Sequence, residues 1–222
     1  SGHLTTGPRV TEFEDEIARY IGQGVHAAAL SSCSAGLHLA LLACGIGKGD
    51  EVIVPTWTFA ATAHAVLWTG AVPVLCEVNE CSLNIDSGRI ELLITDKTKA
   101  IIPVHFAGYP CDMDAIMRIA KKHNLVVIED AAHAVWAEYK GKKIGNFGDV
   151  TVFSFYATKN LACGEGGMAV SKNEHIIEKI RRLSYFGINK EAFRRYPETG
   201  SWYYEIEEMG YKYNMDSIHA AI

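Results

Sequence analysis

Short apolar runs of five to seven residues recur along this chain, with helix-length segments between them, and this alternation constrains the fold more than any other feature. The runs are "HAAALSS" (His26 to Ser32), "EVIVP" (Glu51 to Pro55), "VPVLCEV" (Val72 to Val78), "KAIIPVH" (Lys99 to His105), "LVVIED" (Leu125 to Asp130), "VTVFSF" (Val150 to Phe155) and "GMAVS" (Gly167 to Ser171). Each suits a strand covered on both faces. The intervening stretches repeat apolar residues at helical spacing: Val10 to Ile21, with Val10, Phe13, Ile17 and Ile21 in phase, then Ala35 to Cys44, Ala60 to Trp68, Asp112 to His123 and Glu174 to Phe186. Strand alternating with helix predicts parallel βαβ units in an α/β three-layer α/β/α sandwich around a mostly parallel sheet of about seven strands. Between Phe155 and Gly167 there is no room for a crossover helix, so the last strand is expected to run antiparallel to its neighbours.

With 222 residues, 49% of them hydrophobic, one large domain can cover its core. The net charge of -5 and the isolated basic pairs Lys121-Lys122 and Lys142-Lys143 do not make a nucleic-acid surface. No run has the length of a membrane span and no signal-peptide pattern opens the chain. The six cysteines form no CxxC pair, and Cys33, Cys44 and Cys76 read as small core residues of a reducing, cytoplasmic setting. The ends, "SGHLTTGPRV" and "YNMDSIHAAI", where Asp216 or Ser217 starts a helix, read as cuts within a longer protein. Asn189 to Trp202 is polar and reads as a mobile surface loop.

In a sheet of this kind ligands bind beyond the carboxyl ends of the strands. That rule selects Ser31 to Ala35, Thr56 to Phe59, His105, Asp130 to His133 and Ser154 to Lys159. Asp130 ends a very apolar strand, where an ionised carboxylate is costly without a cation or strong donor; a helix cap is the plainer explanation, and His133 is equally readable as a core histidine. "SSCSAGLHLALLACG" leads from a strand into a helix whose first N–H groups have no internal partner, and Ser34, Ala35 and Gly36 leave room there for a phosphate, although an ordinary Ser-capped helix fits as well. "GIGKGD" follows a helix and precedes a strand, the wrong order for a dinucleotide fingerprint, and reads as a helix stop and turn. Lys159 follows a core strand containing Ser154 and precedes the "GEGG" turn. A desolvated lysine amine forms Schiff bases. An amine for an aldehyde, an acid for a ring nitrogen and a cradle for a phosphate, at three strand ends of one sheet, together point to pyridoxal 5'-phosphate (PLP). His105 and Trp57 are as readable as packing residues as pocket residues.

The segments "SGHLTTGP", "GIGKGDEVIVPTWTFAATAHAV", "IIPVHFAGYPCDMDAI", "VVIEDAAHAV", "FSFYATKNLACGEGGMAV" and "GYKYNMDSIHAAI" resemble the DegT/DnrJ/StrS family of nucleotide-sugar aminotransferases. "EDAAHAV" and "HFAGYP" suggest its branch aminating 4-keto sugars, such as UDP-4-amino-4-deoxy-L-arabinose aminotransferase. The resemblance runs from Ser1 to Ile222. It implies the large cofactor domain of a fold-type-I PLP enzyme over residues 1–222, without the N-terminal segment and small C-terminal domain of that family. It further implies that Lys159 forms the Schiff base and carries protons between cofactor and substrate carbons, that Asp130 pairs with the pyridine nitrogen, and that His133 lies near the ring hydroxyl. Phe59 matches the aromatic stacked on the ring, with Trp57 as its local competitor. By the same resemblance, the Ser34 and Ala35 amides with the Ser154 hydroxyl are expected to hold the phosphate, and Asn214 matches a residue that reaches the phosphate of the other subunit of a homodimer. Cys33 and Ser34 stand where the family often carries glycine and threonine.

The expected reaction moves an amino group from L-glutamate to a nucleotide-linked keto-sugar in a ping-pong scheme, for cell-surface polysaccharide or related amino-sugar synthesis. Two rivals are a PLP-dependent sugar dehydratase, whose relatives replace the lysine with histidine, and a non-catalytic or inert domain of the same fold.

Overall fold

A computed structural model describes residues 4–188 and 204–222, so the expected loop at 189–202 lies outside the described residues. In chain order the elements are α1 (Pro8–Ile21), β1 (His26–Leu30), α2 (Cys33–Ala43), β2 (Glu51–Pro55), α3 (Ala60–Trp68), β3 (Val72–Cys76), α4 (Ser87–Ile90), β4 (Thr98–Ile101), α5 (Met113–His123), β5 (Val126–Asp130), β6 (Glu138–Tyr139), β7 (Lys142–Lys143), β8 (Val150–Ser154), β9 (Gly167–Ser171) and α6 (Glu174–Ser184). Single 3-10 turns form at Glu91–Leu93, Phe106–Gly108 and His219–Ala221. The last of these stands where a helix is expected after Asp216, whose carboxylate accepts from the Ile218 and His219 amides.

Seven strands form one sheet in the order β1-β9-β8-β5-β4-β2-β3. The pairings β2–β3, β2–β4, β4–β5 and β5–β8 are parallel, whereas β9 is antiparallel to both β8 and β1. The expected reversal of the last strand is therefore present. Side-chain alternation sends Ala28, Leu30, Val52, Val54, Ile128, Val150 and Val152 to the face covered by α2, α3 and α6. Ala27, Ala29 and Phe153 go to the opposite face with α1, and Ile53, Ile101 and Val127 go there with α5. These two covered faces make the α/β/α sandwich.

Local chemistry explains the helix ends. Asp112 caps α5 by accepting from Ala115 N at 3.2 Å, and Asn124 ends it in the left-handed region at φ 53°. After α2 the amides of Gly45 and Ile46 turn back to Leu42 and Leu41, with Gly45 at φ 80°, so "GIGKGD" is the helix stop expected. Two elements depart from expectation. The strand at Val72–Cys76 lies at the sheet edge, leaving Val72 54% and Leu75 60% exposed, rather than buried on both faces. The β6–β7 hairpin, turning at Lys140 and Gly141 with positive φ, places Lys142-Lys143 in a ladder too short for its alternation to show in the sequence.

Candidate functional site

The carboxyl ends of β1 and β8 flank the amino end of β9, and the carboxyl end of β5 lies on the far side of β8. Leu30 and Ser154 both stand opposite Gly167. A Cβ on Gly167 would lie 2.4 Å from the Ser32 carbonyl carbon and 2.5 Å from Cys33 N, so only glycine lets the Ser32–Cys33 turn rest on β9. Ser32 caps α2, its Oγ accepting from Ala35 N at 3.1 Å. The Ala35 amide is thus partly engaged by the cap, and Ser34 is the more open of the two amides expected at the cradle. Gly36, expected to make room for a ligand, instead makes room for the sheet: its Cβ would fall 2.5 Å from Val152 Cγ1. Ser154 is buried at the end of β8, its Oγ accepting from Tyr156 N at 3.4 Å.

Asp130 shares the face of Ile128 and points toward α2 and α3. It is 5% exposed. Its Oδ2 accepts from Thr62 Oγ1 at 2.8 Å, its Oδ1 from Ala132 N at 3.2 Å, and Cys33 Sγ stands 4.0 Å from Oδ1. Burial pushes its pKa up, against the Thr62 hydroxyl, the Ala132 amide and the more distant His105 and His133. Burial, and next the Asp130 charge, push Cys33 well above the ordinary thiol range, with Lys159 opposing; Cys33 therefore stays an S–H donor.

Lys159 is half-buried in the loop joining β8 to β9. That loop is tied by Phe155 N to Gly166 O (2.9 Å), Ala157 N to Gly164 O (3.0 Å) and Lys159 N to Tyr156 O (2.8 Å). Desolvation and then the Lys159 charge lower the pKa of His133, which Asp130 raises. Lys159 therefore acts electrostatically on both His133 and Cys33, and Asp130 acts on the same two. Phe59 stands at the N-terminus of α3 with 81% of its surface exposed, and Trp57 is 53% exposed, edge-on to Phe106 at 6.1 Å. Asn214 bridges to Leu30 at the end of β1; its Nδ2 donates to Thr6 Oγ1 at 2.8 Å and its Oδ1 accepts from Lys212 Nζ at 2.6 Å. Its side chain is thus engaged within this chain.

His105 does not face this site. It is buried on the other side of β5, where Nδ1 accepts from Cys111 N at 3.1 Å and Nε2 meets Glu129 Oε2 at 2.9 Å. Since Nδ1 accepts, Nε2 carries the proton. Glu129 also accepts from Gly148 N at 2.8 Å and Thr151 Oγ1 at 2.7 Å, which completes its shell.

The Asp130 shell is different. It accepts one hydroxyl and one amide, with only a distant thiol besides, so the buried carboxylate is less fully satisfied than Glu129 and has no cation in contact; a protonated ring nitrogen would supply one. With Ser154, the first turn of α2 and the glycine-floored junction at its side, the donor set fits a phosphorylated heterocycle. Among the described residues no group of three His, Cys, Asp or Glu side chains is placed to hold a metal ion, and no helix is long and apolar enough to cross a membrane.

The profile of the DegT/DnrJ/EryC1/StrS aminotransferase family matches residues 1–222. The chain belongs to that family. It is 53% identical over 222 residues to the spore coat polysaccharide biosynthesis protein SpsC of Bacillus subtilis (strain 168), with all of this chain and 57% of SpsC aligned. Among solved structures it superposes on the PLP form of the putative sugar aminotransferase Spr1654 from Streptococcus pneumoniae with a TM-score of 0.90 at 36% identity, covering 100% of this chain and 59% of that one. DesV of S. venezuelae, solved in complex with a ketimine intermediate, gives 0.90 at 39% identity, covering 100% and 56%. The chain thus spans little more than half the length of these relatives.

For a DegT/DnrJ/EryC1/StrS chain read from sequence, the residue that escaped notice is Thr62. Its local sequence carries no signal of that role, since its partner Asp130 is distant in the chain and Thr58, four residues earlier, precedes the helix.

Proposed function

We propose that the protein is a PLP-dependent aminotransferase, taking the amino group of L-glutamate and delivering it to the keto carbon of a nucleotide-linked sugar. The observation that carries this reading is the buried Asp130 carboxylate, without a cation in contact, at the rim that also holds Ser154, the α2 turn and Lys159. Bound PLP supplies an electron sink for breaking and remaking a carbon–hydrogen bond. Asp130 holds a proton at the ring nitrogen. Ser154 Oγ and the Ser34 and Ala35 amides bind the phosphate at the positive end of α2. Phe59 offers an open aromatic face to the ring, and His133 stands beside the ring hydroxyl. Lys159 Nζ would anchor the cofactor and then carry the proton between cofactor and substrate carbons, in both half-reactions.

Two copies share each site, Asn214 of one completing the phosphate site of the other. The name of SpsC supports a product bound for a surface polysaccharide, and "EDAAHAV" and "HFAGYP" support a 4-keto acceptor, a 6-deoxy sugar or a pentose. Lysine at position 159 opposes the dehydratase reading, and the Asp130, Ser154 and Lys159 set opposes an inert domain.

The test is made on the full-length protein. It should be yellow as purified, and borohydride should fix the cofactor on the peptide containing Lys159. Lys159→Ala should remove both the fixation and the transamination of nucleotide keto-sugars by glutamate. Unimpaired turnover in that variant, or fixation elsewhere, sinks the reading.

A further inference from the structure

Asp130 is held from three elements, and the shortest bond comes from α3. Thr62 is fully buried, and its hydroxyl donates to Asp130 Oδ2 at 2.8 Å. Just before the helix, Thr58 Oγ1 stands 2.7 Å from Thr62 Oγ1. A carboxylate only accepts, and a threonine hydroxyl has one proton. Thr62 spends that proton on Asp130, so its oxygen accepts from Thr58. The chain of donors has one direction, Thr58 to Thr62 to Asp130. The other contacts are weaker: the Ala132 amide at 3.2 Å and the Cys33 thiol at 4.0 Å both address Oδ1. Oδ2 is therefore aimed by Thr62.

We propose that Thr62, oriented by Thr58, is a positioning residue that keeps Asp130 a carboxylate and fixes its direction, so that α3 sets how tightly the cofactor is held and how fully its ring nitrogen is protonated. This rests on the reading that Asp130 meets the ring nitrogen. Phe59 lies between the two threonines in sequence, at the start of the same helix. One short segment thereby supplies the aromatic face and the hydroxyls behind the acid.

The experiment uses full-length protein with PLP labelled with nitrogen-15 in the ring, reading cofactor affinity by absorbance titration and ring protonation by the nitrogen chemical shift. Thr62→Val keeps the volume and removes the donor; affinity should fall about ten-fold, with the ring signal moving toward the unprotonated value. Thr62→Ser keeps the hydroxyl and should stay within about two-fold of the parent. Thr58→Val, outside the core, should show a smaller loss in the same direction. Parental affinity and shift in Thr62→Val overturn the proposal, as does a Thr62→Ser protein no better than Thr62→Val. Should Thr62→Val not fold, Thr58→Val decides, and parental values there overturn it. Asp130→Asn separates the two levels: if it retains the parental ring signal, the reading of Asp130 itself has failed; if it loses that signal while the threonine variants keep it, only the role of Thr62 has.

Discussion

Glu129 and Asp130 are adjacent carboxylates at the end of one strand, and their surroundings assign them opposite parts. Glu129 is surrounded by His105, Gly148 N and Thr151 and is fully satisfied inside the chain. Asp130, turned to the other face by the pleat, receives a hydroxyl, one amide and a distant thiol. The second arrangement leaves work for a cation. A third buried acid, Glu14 on α1, takes yet another route. Its Oε1 accepts from Ala29 N at 2.7 Å on the free edge of β1, and its Oε2 meets Arg181 at 2.7 Å. Arg181 also donates to Ala27 O, so the pair stands in for a missing strand. Burial outweighs Arg181 and the Ala29 amide, with Asp15 adding to the rise, and brings the Glu14 pKa to about 7. Asp15, His26, Glu174 and Glu178 line the same small cavity. The folded state then binds more protons than the unfolded one between the ordinary 4.5 and about 7, so stability falls as pH rises through that window, by up to about 1.4 kcal/mol per pH unit. Glu14→Gln retains an acceptor for Ala29 N and should flatten that slope in urea melts taken from pH 4.5 to 7.5; an unchanged slope would remove Glu14 as its source.

At this scale the sequence was readable where a residue broke its context. An acid ending an apolar strand, or a lysine before "GEGG", stands out. His105 stayed ambiguous because the decision depended on which face of β5 it met, and Thr62 was invisible because its partner lies 68 positions away.

At the scale of elements, the strands and helices expected from periodicity are present, with ends moved by a few residues. Capping side chains and glycines set those ends. The missing crossover before the last strand was legible from chain length alone, since a parallel return needs a dozen or more residues. What the pattern hid was edge placement: β3 is as apolar as a central strand, and only the strand order shows that it has a neighbour on one side. The seating of α2 on the sheet was hidden as well, and it carries a prediction. Gly36→Ala favours the helix by propensity yet drives a methyl into Val152. The clash should win, lowering stability by about 1–3 kcal/mol and weakening PLP binding as the α2 turn lifts from Gly167. Combining it with Val152→Ala should cost less than the sum of the two single changes; strict additivity in chemical denaturation would show that the contact does not limit the packing.

For the whole molecule, the described residues contain the sheet, both helical layers and the rim, in a chain that spans 57% of SpsC. Sharing of the site between copies was read from resemblance, and no amount of residue patterning reaches it. It makes a sharp prediction for full-length protein. Lys159→Ala and Asn214→Ala should each be inactive alone. Refolded together, they should recover activity, because a mixed dimer contains one site with both residues intact, or about a quarter of all sites after random pairing. Recovery near zero, with mixed dimers demonstrated by mass, would place Asn214 and Lys159 in the same copy's site.

The reversal of β9 has a mechanical consequence for the lysine. Both ends of its loop are stitched to adjacent, fully buried strands, so the backbone there cannot swing outward without unzipping the sheet. In the role proposed for it, the travel needed to carry a hydrogen from one carbon to another would have to come from rotation about the side chain's own methylene bonds, a tether of fixed length swinging from a still point.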